Sequence, residues 1–242
     1  MAQQIADRRD IDFVLHELLE IDKLTETKKF GEFNRKAFDL ILNEARRFAI
    51  KEMLPTYEEG DRIGVRYEGN GTVKVPESFH RVHKLYLESE WTAPAMNPEY
   101  GGQGLPHSLA VAADEYLMGA HWAISAYGSL GAGTGYMIEN YGTDDQKKTY
   151  LKKLYNGEWG GTMLLTESDA GSDVGNLSTT AVRNPDGTFS LTGNKIFITT
   201  GEHELVDKLF HQVLERIEGD PAVTKGISIF IVPKYFVKED GS

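Results

Sequence analysis

The chain is predicted to be an α+β protein, an all-α helical domain followed by an antiparallel, barrel-like β domain. Three observations predict this. Up to about residue 155, apolar residues recur at helical spacing, and beyond Gly161 they fall into short β-branched and aromatic runs. Asn184-Pro185-Asp186-Gly187 supplies a tight turn between two such runs, 177–183 and 188–192. The 242 residues, 40% apolar and 26% charged, suffice for two modest domains with real cores.

Taken in order, 12–24 reads as a short helix with Phe13, Val14, Leu18 and Leu19 on one side, followed by a polar connector. The span 32–53 is the clearest helix, with Phe33, Ala37, Leu40, Ile41, Ala45 and Phe48 predicted to share its buried face. Pro55 is expected to stop it, and the charged, Gly-containing 56–76 reads as a loop. Ser78 is placed as the cap of a helix to about 89 that buries Phe79, Val82, Leu85 and Tyr86. Two prolines beside Gly101, Gly102 and Gly104 indicate an ordered loop over 91–106. A long helix over 108–140 is expected to break near Tyr127-Gly128. Thr143 with Gln146 forms a capping box for a last helix carrying Tyr150, Leu151 and Leu154. Strands are expected over 195–200 and 226–232, and 238–242 reads as a loop-like tail. The apolar residues of 205–217 recur at helical spacing, so periodicity alone assigns a helix there.

Composition narrows the function. A formal net charge of −11 argues against a nucleic-acid surface. The absence of cysteine removes disulfides, thiolate metal sites and cysteine nucleophiles, and fits a cytoplasmic location. No signal-peptide core opens the chain, and no apolar run approaches the roughly 20 residues of a membrane span. The seven histidines show no H-x-x-x-H spacing, so no metal site is expected. No G-x-S-x-G is present. Gly128, Gly131, Gly133 and Gly135 lack the spacing and the preceding strand of a dinucleotide loop, and are read as close helix packing.

The chemistry concentrates in 161–201. Met163, Leu164 and Leu165 open into Thr166-Glu167-Ser168-Asp169-Ala170-Gly171-Ser172-Asp173, a strand ending in a turn of small residues. Such a turn lets backbone N–H groups and hydroxyls approach a ligand closely, and also has a bland reading as a mere strand end. Lys195-Ile196-Phe197-Ile198-Thr199-Thr200-Gly201 then returns to finish in hydroxyls. Glu167 and Asp173 could act as acid or base, but carboxylates beside a Gly-rich turn more commonly accept backbone N–H bonds and fix the turn.

T-E-x-x-A-G-S-D followed by G-x-K-x-(aromatic)-I-T resembles the middle domain of the acyl-CoA dehydrogenases. Asn97-Pro98-Glu99-Tyr100-Gly101-Gly102-Gln103-Gly104-Leu105 and Tyr141-Gly142-Thr143-Asp144-Asp145-Gln146-Lys147 resemble that family's N-terminal domain, in the same order. The likeness runs clearly over 91–233 and more loosely from 32. It implies a division into an N-terminal extension (1–31), a helical domain (32–160) and a flavin-binding β domain (161–242), truncated before the family's C-terminal helices. It also implies a strand over 208–217, against the periodicity, with 202–206 as a turn.

The resemblance implies FAD as cofactor. Cofactor binding falls to Met163, Leu165, Thr166, Gly171, Ser172, Phe197 and Thr199. Of these, Thr166 meets the pyrimidine edge, Ser172 the phosphate, Phe197 the flavin face and Thr199 the reactive N5. Ser172, Tyr100 and Gly101 would meet substrate. Leu164 and Asn176 depart from the family's usual small residues, which bears on substrate shape. The implied reaction is α,β-dehydrogenation of an acyl-CoA thioester in fatty acid metabolism, with a general-base glutamate beyond Ser242. Electrons would pass to an electron-transferring flavoprotein, and the full-length protein would be a homodimer or homotetramer. A related flavin oxidase and a non-catalytic binding module are the other readings of the same residues.

Overall fold

The structure is a computed structural model and describes residues 5–238, so all of the expected tail beyond Lys238 lies outside the described residues. The leader forms α1 (Arg8–Asp12), which runs into a π-helical turn at Phe13–Leu18 and a 3₁₀ turn at Ile21–Glu26. It is therefore three short pieces where a single helix over 12–24 is expected. Glu20, with φ of 48°, makes the corner between the last two. Ile11, Leu15 and Ile21 are buried, while Phe13, Val14, Leu18 and Leu19 remain exposed.

Helix α2 (Arg35–Phe48) starts at Asn34, whose side chain accepts from the Ala37 N–H. Its buried face is Phe38, Leu42, Ala45 and Phe48, rotated from the expected stripe, and Leu40 is exposed. Pro55 does not stop the helical course. It lies in the first turn of α3 (Leu54–Ile63), reached through a π-helical turn at Ala49–Met53, where a missing N–H costs nothing. The expected loop over 56–76 thus holds most of α3 and a small hairpin, β1 (Arg66–Gly69) with β2 (Thr72–Lys74). Helix α4 (Glu77–Glu88) begins after Pro76, not at Ser78, which lies inside the first turn with its hydroxyl buried.

The 35-residue α5 (His107–Tyr141) breaks at His121, with φ −161° and ψ 90°, rather than at Tyr127-Gly128. His121 Nδ1 accepts from the Ile124 N–H, as a cap residue restarting the helix would. The glycines beyond the break allow close packing. A Cβ on Gly128 would lie 2.4 Å from the Tyr86 ring, and one on Gly135 2.5 Å from Tyr155. Helix α6 (Asp144–Tyr155) carries the predicted Thr143–Gln146 capping box. Phe38, Leu42, Tyr86, Leu109, Tyr116, Leu117 and Ile124 belong to one helical core. Among the described residues no helix is long and apolar enough to cross a membrane.

Five strands follow, namely β3 (Trp159–Leu164), β4 (Thr180–Arg183), β5 (Phe189–Thr192), β6 (Lys208–Ile217) and β7 (Ile227–Pro233). The strand over 208–217 is therefore present despite its helical spacing. It lies at the centre of the sheet and is buried on both faces, which removes the period-2 signal. The sheet is mixed, not antiparallel. β4–β5 and β6–β7 are antiparallel, but β3 and β4 each run parallel to β6. Sequence pattern marks strands without fixing their direction, which the connections set. β7 occupies one edge of β6 from Phe210 to Arg216, so β3 and β4 share the other. β3 pairs up to Val213 and β4 takes over at Arg216, leaving a fork at Leu214 and Glu215. Trp159 and Phe210, tilted against each other with ring centroids 4.7 Å apart, join this sheet to Tyr150 of α6.

A candidate cofactor-facing site around a buried ion pair

The fork leaves backbone polar groups without ladder partners, and two charged side chains take them up. Lys195 Nζ donates to Leu165 O (3.2 Å) at the end of β3 and to Leu214 O (2.7 Å) in β6. It also donates to Thr179 Oγ1 (2.9 Å) and Glu167 Oε1 (2.8 Å). Glu167 in turn accepts from Ser178 N (2.7 Å), Ser178 Oγ (2.8 Å), Thr179 N (3.2 Å) and Thr179 Oγ1 (2.6 Å), just before β4. Both charged side chains are almost wholly buried. Burial opposes the charge on Glu167, yet the bonds from Lys195, Thr179 and Ser178 hold its carboxyl at about 2. The turn-fixing reading of Glu167 fits this geometry.

Behind the pair, the Glu215 side chain is buried and its Oε2 has no hydrogen-bond partner. Burial pushes its carboxyl up to about 6, with Lys195 opposing and Glu167 adding to the rise. Arg216 gathers Leu177 O (3.1 Å), Gly175 O (3.0 Å), Val223 O (3.0 Å) and Pro221 O (3.2 Å), which fixes the turn after Ser172. Sequence reading missed Lys195, Thr179, Glu215 and Arg216. Lys195 was visible as the lysine of G-x-K, but nothing local shows that it fills a fork between strands remote in sequence.

The predicted cofactor residues fall on segments tied to this pair. The Ile196 N–H donates to Thr166 O at 2.9 Å, which brings the 166–172 and 195–200 segments side by side. Among the described residues the hydroxyls of Thr166, Ser172 and Thr199 make no hydrogen bond, whereas those of Ser178 and Thr179 are engaged by Glu167. Gly171, Ser172, Thr199 and Met163 are exposed, Thr166 and Leu165 half-buried. Phe197 is 88% exposed. The strand expected over 195–200 is absent. Phe197 and Thr200 have φ of 59° and 54°, so this is a tight loop. Tyr100 and Gly101 lie elsewhere. Tyr100 packs against the cluster of Leu151, Leu154 and Tyr155, where Glu139 accepts from Tyr155 Oη (2.5 Å) and Asn97 Nδ2 (3.0 Å). No hydrogen bond among the described residues joins that loop to Thr166 or Ser172.

Other features stand apart from these turns. An open groove of about 1070 Å³, lined by Tyr141, Tyr150, Phe189, Phe230 and Phe236, contains none of the predicted site residues. Asp12, His16 and Asp39 come close enough to hold a metal ion, although histidine spacing suggested no such site. Arg8 already occupies both carboxylates, at 2.6 and 2.8 Å, so the cluster is an ion-pair network rather than an open coordination site.

Comparison with known proteins assigns the family. Residues 36–158 match the acyl-CoA dehydrogenase N-terminal domain and residues 162–239 the middle domain of the same enzymes. The chain belongs to the acyl-CoA dehydrogenase family. It is 36% identical to a 3-methylmercaptopropionyl-CoA dehydrogenase of Ruegeria pomeroyi, over 96% of this chain and 40% of that protein. It is 35% identical to a broad-specificity linear acyl-CoA dehydrogenase of Mycobacterium tuberculosis, over 97% of this chain and 38% of that one. The chain thus spans about two fifths of these relatives. The crystal structure of an acyl-CoA dehydrogenase of Bacillus anthracis complexed with FAD superposes with a TM-score of 0.67 at 27% identity, covering 84% of this chain and 31% of that one. Butyryl-CoA dehydrogenase from Megasphaera elsdenii gives 0.65 at 27% identity, over 81% of this chain and 48% of that one.

Proposed function

We propose that this chain supplies the helical part and the flavin-facing sheet of an FAD-dependent acyl-CoA dehydrogenase. On this reading the extension (1–31), helical domain (32–160) and flavin domain (161–242) work with a C-terminal region beyond Ser242. The observation that carries the reading is that the hydroxyl-bearing segments of Thr166–Ser172 and Thr199 lie side by side, joined by the Ile196 N–H to Thr166 O bond, within the stretch that matches the family's middle domain. A flavin nucleotide needs such donors at its carbonyls, ring nitrogens and pyrophosphate. Relatives of this family act on acyl-CoA thioesters, and a neighbouring structure contains FAD.

FAD, when bound, would supply the acceptor for the β-hydride as the α-proton leaves. Thr166 would hold its pyrimidine edge, Ser172 its phosphate with the Gly171 backbone beside it, and Thr199 a position near N5. Phe197, already exposed, would cover a ring face, with Met163 and Leu165 lining the approach. Tyr100 and Gly101 would contribute to the acyl-CoA side. The two carboxylates Glu167 and Glu202 suit the α-proton poorly. Glu167 is held at about 2 with every lone pair engaged, and Glu202 is paired with Lys234 at 2.6 Å. Following the family resemblance, we assign the base to a glutamate beyond Ser242, the acceptor of electrons to an electron-transferring flavoprotein, and the assembly to a homodimer or homotetramer.

FAD titration of the full-length apoprotein tests this. A hydrogen bond to a charged group contributes about 1.5–3 kcal/mol, so Ser172→Ala should weaken FAD binding roughly tenfold or more. Thr199→Ala should shift the flavin potential with modest FAD loss. Unchanged affinity in Ser172→Ala, or a wild-type protein that takes up no FAD, would remove the reading. Rapid reaction of the reduced enzyme with oxygen, in place of the flavoprotein acceptor, would favour an oxidase.

A further inference from the structure

We propose that Lys195 and Glu167 are positioning residues for the cofactor, one buried ion pair that fixes the relative placement of Thr166, Ser172 and Thr199. The proposal rests on the flavin reading above. None of the pair's atoms is left to meet a ligand directly, since the Lys195 and Glu167 side chains are only 5% and 6% exposed. Their reach is through the backbone. Thr166 lies between Leu165, whose carbonyl Lys195 holds, and Glu167 itself. The Ile196 N–H, next to Lys195, binds the Thr166 carbonyl, and Phe197 and Thr199 follow in the same loop. Ser178 and Thr179, held by Glu167, end the turn that begins at Gly171-Ser172 and that Arg216 ties down at Gly175 and Leu177. Three segments distant in sequence thus meet at two side chains, and a shift of the pair would move all three hydroxyls relative to one another.

Stability alone does not call for an ion pair at this place. Replacing a buried pair by apolar residues of similar volume is often neutral or stabilising, whereas a polar pair with fixed partners specifies one arrangement. The fork needs filling, and apolar side chains would fill it without holding Leu165 O, Leu214 O, Ser178 N and Thr179 N at set positions.

The test uses the full-length protein with Lys195→Met/Glu167→Leu, which removes both charges together. Expected are a folded protein, FAD affinity reduced at least tenfold, and an altered visible circular dichroism of the remaining bound flavin. Leu42→Ala, in the helical core, serves as a comparator that lowers the melting temperature and leaves FAD affinity and flavin dichroism unchanged. Should the double variant not fold, Thr179→Val removes one shared partner at constant shape and is expected to weaken FAD several-fold. Wild-type affinity and dichroism in whichever of these variants folds would overturn the positioning role. A wild-type protein that binds no FAD would instead overturn the flavin reading on which it stands.

Discussion

Lys195 Nζ lies 2.8 Å from Glu167 Oε1, and the two side chains close the gap where β6 passes from β3 to β4. Removing one partner leaves the other charge buried and uncompensated, at a cost of about 3–5 kcal/mol. Lys195→Met is therefore expected to lower unfolding stability by that order in urea titrations. Lys195→Met/Glu167→Gln should cost less than the sum of the single variants. Additive losses would show that the two side chains are not coupled.

Glu215 gives a pH dependence of the opposite sign to most carboxylates. Its folded carboxyl is raised to about 6 from an ordinary 4.5, chiefly by burial, so the fold favours the protonated form. That contribution is full below about 4.5 and is lost as pH rises through 6, a difference of about 2 kcal/mol. Glu215→Gln should raise the melting temperature at pH 7.5 and change it little at pH 4.5. Equal shifts at both pH values would contradict the assignment.

His83 and His203 act at the acid end. Burial pulls both down to about 4 from an ordinary 6.5, and Tyr127 meets His203 edge to face with ring centroids 4.7 Å apart, fastening the helices to the segment before β6. A lowered histidine contributes stability that is present above about 6.5 and is lost as pH falls from there towards 4, roughly 3 kcal/mol each. Chemical denaturation across this range should show the decline, and His83→Gln should flatten it. A wild-type stability constant from pH 6.5 to 4.5 would exclude this linkage.

The leader is held by charge as well as by apolar contact. Arg8 donates to Asp12 (2.6 Å), Asp39 (2.8 Å) and Asn43 (2.5 Å), and His16 Nδ1 contacts Asp22 at 3.1 Å. Arg8→Ala should speed proteolytic cleavage between residues 18 and 34 several-fold at unchanged global melting temperature. Cleavage at the wild-type rate would show that Ile11, Leu15 and Ile21 suffice to hold it.

Two elements show how far local pattern carries. The Thr143–Gln146 capping box and the α6 face with Leu151 and Leu154 were readable because cap and periodicity are properties of neighbouring residues. Phe197 and Thr199 were expected on a strand from β-branched and aromatic composition. The segment is a loop because its partners are an ion pair and a single bond to Thr166, with no strand alongside.

By itself, then, the sequence determined the change from a helical first part to a stranded second part, the capping box of α6 and the turn of small residues after β3. It also carried the family, through four motifs in fixed order. Only the tertiary structure decided that β6 is the central strand, since burial on both faces erased its alternation. It also decided the parallel pairings and the role of Lys195, because Lys195 draws together Leu165, Glu167, Thr179 and Leu214, groups up to 49 positions apart that no local pattern connects. A buried charge takes its meaning from the partners that desolvation forces on it, and those are chosen by the fold.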